Sequence, residues 1–307
     1  MEVIDRMIHK DPEQRPRMVQ VVSTVSKAFN TDEKGENDLH RAARVGDVEK
    51  VPFLLEQGAL YKSIAKDGTT PLYVASANGH DKVVELFFQF YESNHYQLII
   101  TDFSRPTRDK ATPLYVAAQN GHDKVVELFF KFYKFLRNKD QLKIIDFLRP
   151  TRDKATPLYI AAQHGHVEVV DLFINFYESN KKQLERGDFL RPYKDGSTPL
   201  MVAARYGHDK VVELFFKFYA RNHYQLTIND FLRPTTDKAI PLYIAAQHGH
   251  VEVVDLFINF YEIYKDKLEM EDFLRPNSTP STPRVVAAKN RFYAAIIKIL
   301  VLLMEQL

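Results

Sequence analysis

The sequence predicts an all-α protein built as a helical solenoid of about seven repeats. The first observation is a short motif, Pro-Leu-Tyr or a variant of it, whose prolines recur 42 to 44 residues apart. The second is that each copy precedes two segments with apolar residues at helical spacing. The third is composition: 307 residues, 45% hydrophobic and 27% charged, are typical of a folded chain. Periods of this size indicate an array whose units bury their faces against each other.

Residues 1–30 precede the repeats and predict a short helical segment. Apolar residues share one helical face over 1–8, residues 11–16 read Asp-Pro-Glu-Gln-Arg-Pro, and a second helical run covers 18–29. This order resembles the C-terminal end of a protein kinase catalytic domain, in which the equivalent of Arg15 pairs with a glutamate near the activation segment. The resemblance implies either a truncated parent kinase or a relic that caps the array. Two unrelated amphipathic helices are the other interpretation.

No kinase chemistry is expected from this chain. The sequence contains no glycine-rich nucleotide loop, no His-Arg-Asp catalytic loop and no Asp-Phe-Gly. The repeated Asp-Phe-Leu-Arg-Pro has Leu where that last motif requires Gly. We therefore expect a protein that is not an enzyme, divided into a kinase-like fragment (1–30) and a repeat array (31–307). The units start near residues 38, 70, 112, 156, 198, 240 and 282.

Each unit predicts two helices and a loop. After Pro113 the run to Asn120 is short and Ala-rich, and Pro suits the first turn of a helix because its missing N–H costs little there. Gly121-His122 breaks this helix. The second helix, from Asp123 to about residue 136, is apolar on most sides and should be largely covered.

These residues resemble the ankyrin repeat family over about 39–307. The first unit matches best, with Leu39-His40, Ala42-Ala43 and Gly46, and later units keep Pro-Leu, Ala-Ala and Gly-His. The resemblance implies helix–turn–helix units, projecting hairpin loops and a concave protein-binding surface. Two departures stand out: the period exceeds the family's 33 residues, and Tyr replaces the family's usual His after Pro-Leu. The added residues could lengthen the second helix by about two turns.

The sequence also repeats with a longer period of two units. Residues 157–178 and 241–262 are identical over 22 positions, which indicates copying of a two-unit block. The polar residues of each second helix fall on one narrow stripe, which we call the outer stripe. Its charge is mixed or basic in one unit type, as in 124–131, and acidic in the other, as in 168–178. We expect neighbouring second helices to present partly complementary charge; a merely solvated polar face is the alternative.

The composition excludes several classes of site. Lys plus Arg at 42 against Asp plus Glu at 40 gives a net charge of +2, so we expect no nucleic-acid partner. Without cysteine, disulfides and thiolate zinc sites are excluded, which fits the cytoplasm or the nucleus. The pairs His164/His166 and His248/His250 lack an evident third ligand, so we expect no metal and no cofactor.

The last unit is irregular. Arg284 replaces the Leu after Pro, and Arg291-Phe292 replaces Gly-His. The apolar run 294–304 contains Lys298 and is shorter than the roughly 20 residues that cross a bilayer, so we expect no crossing. Either the natural chain continues or this helix meets a partner or a membrane surface.

The resemblance places partner-binding residues at the exposed ends of the first helices and at the loop tips. Arg205 and Tyr206 interrupt a Gln-rich pattern with residue types favoured at interfaces. The candidates at helix ends are Gln119, Asn120, Gln163, His164, Arg205, Tyr206, Gln247 and His248. The candidates at loop tips are Arg108, Lys110, Arg152, Lys154, Tyr193 and Lys194.

From these patterns we expect a monomeric, non-enzymatic scaffold that binds a protein partner of unknown identity. The alternative is the regulatory or targeting part of a larger kinase whose catalytic core is missing here. A third interpretation is a scaffold that attaches to a membrane through its C-terminal helix.

Overall fold

The computed structural model describes residues 31–57, 63–93, 104–137, 148–182, 184, 189–222, 232–267, 276–279, 281–289 and 298–299. Within these ranges the chain forms thirteen α-helices, one 3-10 turn at Lys265–Lys267 and no β-strand. The all-α prediction is therefore confirmed for the described part. The helices are α1 Asp38–Val45, α2 Lys50–Glu56, α3 Pro71–Ala77, α4 Asp81–Ser93, α5 Pro113–Gln119, α6 Asp123–Arg137, α7 Pro157–His164, α8 Val167–Asn180, α9 Pro199–Tyr206, α10 Asp209–Asn222, α11 Pro241–His248, α12 Val251–Tyr264 and α13 Pro283–Lys289.

The odd-numbered helices are the first helices of their units, and their starts follow from the motif. In α3, α5, α7, α9 and α13 Pro occupies the first turn, and the preceding Thr accepts a hydrogen bond from the backbone three residues on. Helix α1 has no such Pro and is capped by Asn37. At α7 the Thr156 hydroxyl accepts from the Tyr159 N–H at 3.1 Å. Helix α11 differs because Ile240 stands at the cap position and supplies no side-chain bond.

The second helices of the second to sixth units are long. Helix α2 has 7 residues, whereas α4, α6, α8, α10 and α12 have 13 to 15. The difference is about two helical turns, as the longer period predicts. Helix α6 ends at Arg137; residues 138–147 lie outside the described part.

Stacked aromatic rings join neighbouring second helices in a repeating arrangement. Phe88 of α4 lies flat on Phe132 of α6 at 4.3 Å between ring centroids and meets Phe129 edge-on at 5.0 Å. The same pair of contacts recurs between α6 and α8, where Phe130 lies 4.2 Å from Phe176. Between α8 and α10 the buried Ile174 takes the equivalent position. The copied two-unit block therefore produces two kinds of interface.

The first helices form the inner layer of the stack. They are short and pack on one another more extensively than the long second helices do. A layer of short, closely packed helices beside a layer of longer ones favours curvature toward the first helices. The ends of the first helices and the adjoining hairpins therefore belong to the inner side.

Charges on the outer stripe pair mostly within their own helix. Lys131 bonds Glu127 at 2.9 Å, and Lys217 bonds Glu213 at 2.7 Å. One contact between α8 and α10 matches the expected complementarity: Arg221 Nε lies 3.3 Å from a Glu178 oxygen. Lysines on the mixed stripes thus form ion pairs with glutamates of their own helix, because a glutamate one turn away is nearer than a carboxylate on the next helix.

The two ends of the chain lie largely outside the described residues. The kinase-like segment 1–30 is among them, as is most of the apolar run 294–304. At the C-terminal end, Lys298 Nζ lies 2.8 Å from a carboxylate oxygen of Asp255, and Ile299 is fully buried. This part of the last unit therefore packs onto α12.

Candidate partner-binding surface

A tight five-residue hairpin forms the tip of each of the first six units. At 107–111 the Lys110 N–H donates to the Thr107 carbonyl at 2.9 Å, and the Thr107 N–H donates to the Ala111 carbonyl at 2.9 Å. Closing this turn requires a left-handed residue at its fourth position. Gly35, Gly68 and Gly196 take that position in three units with φ between 78° and 91°.

Lysine takes the left-handed position in three other units. Lys110, Lys154 and Lys238 have φ values of 62°, 67° and 59°. Residues other than glycine, asparagine or aspartate rarely adopt this conformation, because Cβ approaches the following carbonyl oxygen. All three side chains are exposed.

Backbone hydrogen bonds join most successive tips into an edge, which we call the hairpin edge (residues 32–36, 65–69, 107–111, 151–155, 193–197, 235–239, 277–279 and 281). The Arg152 N–H donates to the Asp109 carbonyl at 3.1 Å, and the Thr236 N–H donates to the Asp195 carbonyl at 3.0 Å. Between the fourth and fifth tips the contact is made by side chains, since Lys194 Nζ lies 3.1 Å from an Asp153 oxygen. The tips therefore hold a fixed order along the array.

A second ladder joins the ends of the first helices. In five units the His after Gly places its Nε2 within 2.9 to 3.1 Å of a carbonyl at the end of the preceding unit's first helix. His208, for example, reaches the Gln163 carbonyl at 2.9 Å. Carbonyls at a helix end lack partners within the helix, so this contact satisfies one of them. The Gly-His motif is thus one of the connections between units.

The structure places every predicted site residue in one of two rows, the first-helix ends or the hairpin edge. The exposed ones are Asn120, His164, Tyr206, His248, Arg108, Lys110, Arg152, Lys154 and Lys194, and the half-buried ones are Gln119, Gln163, Arg205, Gln247 and Tyr193. Asn120 uses its amide within the array, because Nδ2 donates to the Ala77 carbonyl at 2.8 Å. Their role in binding stays a prediction.

The two rows meet in an aromatic and charged cluster between the fourth and fifth units. The rings of Tyr159 and Tyr193 stack with centroids 5.0 Å apart. Arg205 reaches Asp195 at 3.9 Å, and Tyr206 is 51% exposed. Burial, with a contribution from the Asp195 charge, raises the pKa of Tyr159, so its hydroxyl stays protonated at neutral pH.

Tyr159 and Asp195 are members of this cluster that the sequence did not single out. The signal was present, since Tyr occupies the position after Pro-Leu in four units. In the first unit the same position holds the buried His40, which receives the Asn37 backbone N–H at 3.3 Å. Tyr extends further toward the next tip, as Tyr243 shows by accepting from Asn277 Nδ2 at 2.9 Å.

Exposed histidines at the helix ends are neutral near pH 7. His164 stacks on His166 with centroids 5.8 Å apart, and burial together with that neighbour lowers the pKa of His164. The same holds for His248 beside His250. Among the described residues no three His, Asp or Glu side chains gather as metal ligands.

Comparison with known families agrees with this geometry. A model of ankyrin repeats in three copies matches residues 13–99, 39–141, 94–183 and 133–230, and a single ankyrin repeat model matches 237–263. Together these matches cover well over half of the chain. The chain belongs to the ankyrin repeat family.

Two relatives of this ankyrin protein illustrate the likeness. An ankyrin repeat protein of fowlpox virus (strain NVSL) is 34% identical over 62 residues, which are 20% of this chain and 44% of the viral protein. The chain thus spans less than half of that relative. The crystal structure of the human ASB11 ankyrin repeat domain matches with a TM-score of 0.57 and 20% identity, covering 86% of this chain and 98% of that one. That match confirms the ankyrin solenoid fold.

The ankyrin match begins at residue 13, inside the segment that resembles a kinase. The comparisons give no support to a kinase fragment at 1–29. Among the helices that the structure describes, none is long and apolar enough to cross a membrane.

Proposed function

We propose that this ankyrin array is a non-enzymatic scaffold that binds a protein partner along its inner side. The partner would contact the first-helix ends and the hairpin edge together. The observation that carries the proposal is the cluster of Arg205, Tyr206, Tyr193 and Tyr159, where both rows meet. Ankyrin repeats generally mediate protein–protein contacts, which fits this assignment.

The cluster has the chemistry of an interface centre. Tyr206 is half exposed beside Arg205, and Tyr and Arg are the residue types enriched where binding energy concentrates. Stacking holds the rings of Tyr159 and Tyr193 in place. These two side chains therefore lose little conformational entropy when a partner binds. Asp195 orients the Arg205 guanidinium before a partner arrives.

The experiment is affinity capture followed by measured binding. The array is used to isolate partners from the source cell, and calorimetry then compares purified partner with wild type and an Arg205→Ala/Tyr206→Ala variant. We expect at least about a tenfold loss of affinity, since two interface-centre residues are removed. The matched control is Lys124→Ala/Lys210→Ala, two exposed residues of the outer helices, which should leave affinity unchanged. Equal affinity for wild type and the Arg205/Tyr206 variant would refute the assignment.

The kinase alternative has no support beyond the resemblance of residues 1–29. We propose instead that these residues precede the array without catalytic function. We also propose a cytoplasmic or nuclear location, which the absence of cysteine from the sequence fits, and a monomeric array. Imaging of a tagged chain and light scattering of the purified protein test these two points.

A further inference from the structure

We propose that the hairpin edge binds an extended acidic peptide segment through Lys110, Lys154 and Lys238. This inference rests on the proposed protein-binding function and adds the chemical class of the partner. It concerns three lysines of the hairpin edge that are not members of the Arg205 cluster.

The first step is the conformational cost that these three lysines impose. Each holds the left-handed conformation that Gly35, Gly68 and Gly196 adopt at the same place in other units. Glycine would close the turn without that cost, and the array itself shows that glycine fits. Unfavourable backbone conformations that persist are found preferentially at functional sites. The three positions therefore point to a use for the lysine side chain itself.

The second step is the charge that remains on this edge. Arg152 lies 3.8 Å from Asp109, and Lys194 lies 3.1 Å from Asp153, so basic residues at the second turn position neutralise aspartates of the preceding tip. Lys110, Lys154 and Lys238 form no ion pair with any residue in the described part of the chain. Their ammonium groups are exposed and available to a negatively charged partner.

The third step is the spacing. Packed helices lie about 8–10 Å apart, so neighbouring tips are separated by about that distance. An extended peptide advances about 3.3 Å per residue, so every third residue of a bound strand would meet a tip, and a carboxylate at each such residue could reach the lysines. Lys110 and Lys154 lie in adjacent units, and Lys238 lies two units further along.

The interleaved aspartates favour a peptide over other anions. Asp109, Asp153 and Asp237 immediately precede the three lysines. Nucleic acid carries a phosphate on each strand every 3.4 Å, so a strand along this edge would bring phosphates against these carboxylates. A peptide with sparse acidic residues can match the lysines and avoid the aspartates.

The test uses the full chain and a fluorescein-labelled 24-residue peptide, (Glu-Gly-Ser)8, in fluorescence anisotropy at low salt. The comparison peptide is (Gln-Gly-Ser)8. We expect wild type to prefer the Glu peptide at least about tenfold, with the preference declining as salt screens the charges. The triple variant Lys110→Gly/Lys154→Gly/Lys238→Gly should lose about tenfold in affinity for the Glu peptide.

The variant is expected to fold, because glycine already occupies this position in three units, and its thermal midpoint should not fall. The matched control is Lys124→Gln/Lys131→Gln/Lys217→Gln, which removes the same charge from the outer helices and should bind like wild type.

Three results would overturn the inference. They are equal binding of the two peptides, equal loss in both triple variants, or tighter lysine-dependent binding of a 24-nucleotide single strand or of phosphatidylserine vesicles. If the native partner's affinity depends on Arg205 and Tyr206 but the Glu peptide does not bind, the inference fails and the proposed function stands. If the Glu peptide binds through the three lysines while the Arg205/Tyr206 variant keeps full partner affinity, the helix-end assignment fails instead.

Discussion

Replacing Gly165 by Ala tests the connection between units most directly. Gly165 ends α7 with φ +72°, and a Cβ atom there would lie 2.5 Å from Nδ1 of His208. That imidazole is held in place by its contact with the Gln163 carbonyl at 2.9 Å. The substitution therefore combines an unfavourable backbone conformation with a steric overlap between two units.

The expected magnitude follows from these two effects. A left-handed non-glycine residue costs about 1–2 kcal/mol, and the reduced entropy of the unfolded chain offsets about 0.4–1 kcal/mol of it. Overpacking against the imidazole adds about 1–3 kcal/mol. We expect Gly165→Ala to lower the free energy of unfolding by about 2–4 kcal/mol. With an m-value of about 3 kcal/mol/M, the urea midpoint falls by about 1 M.

A double-mutant cycle separates the overlap from the backbone effect. His208→Ala alone loses one hydrogen bond, worth about 1 kcal/mol. In Gly165→Ala/His208→Ala the imidazole is absent, so the double variant should be destabilised by at least about 1 kcal/mol less than the sum of the singles. Urea unfolding is followed by far-UV circular dichroism and by tyrosine fluorescence. If the two transitions coincide, unfolding is two-state and the free energies can be compared. Additive effects, or a neutral Gly165→Ala, would refute the proposed role of the Gly-His contact.

Three further predictions concern single positions. Lys154→Gly should raise the free energy of unfolding by about 0.5–1 kcal/mol, since it removes left-handed strain; a lower urea midpoint would contradict this. Phe129→Ala should cost about 3–5 kcal/mol because its ring is 1% exposed between α4 and α6, whereas Phe53→Ala, at a 59% exposed position, should change the midpoint little. Burial lowers the pKa of His40 below its ordinary 6.5. As the pH falls, this histidine is therefore protonated in the unfolded chain before it is protonated in the folded one. The stability that neutral His40 provides is present above pH 6.5 and is lost as the pH falls below it. His40→Gln should therefore show a smaller loss of urea midpoint between pH 7.5 and pH 5.5 than wild type, and an equal loss would contradict the argument.

Much of the fold could be predicted because the motif residues act locally. The Thr156 hydroxyl caps α7 by accepting the N–H of Tyr159, three residues on. Gly165 ends the same helix by adopting the left-handed conformation, which glycine adopts without strain. These effects depend on residues three or four positions apart, so the sequence displays them directly. The length of the second helices was likewise readable from the apolar pattern, as α6 shows.

The candidate site was only partly predictable. The sequence placed Arg205 and Tyr206 at a helix end, but it could not show that Tyr159 and Tyr193, 34 residues apart, stack beside them. The charge stripes predict partly complementary charge on neighbouring second helices, and Arg221 does meet Glu178 across that boundary. Lys131 and Lys217, however, pair within their own helices. Which partner a charged side chain takes depends on distances that spacing along the chain does not give.

The amino-acid sequence by itself determined the repeat, the all-α class and the positions of the first helices, because each follows from local spacing and from the backbone preferences of Pro, Thr and Gly. Only the tertiary structure decided how units are joined. The imidazole of His208 meets Gly165 across the boundary between two units, and the left-handed conformation of Lys154 follows from the hairpin's hydrogen bonds. The first feature arises from the packing of two units that are 42 to 44 residues apart along the chain. The second arises from the closure of a five-residue turn at a lysine, a residue type that does not itself predict a left-handed conformation.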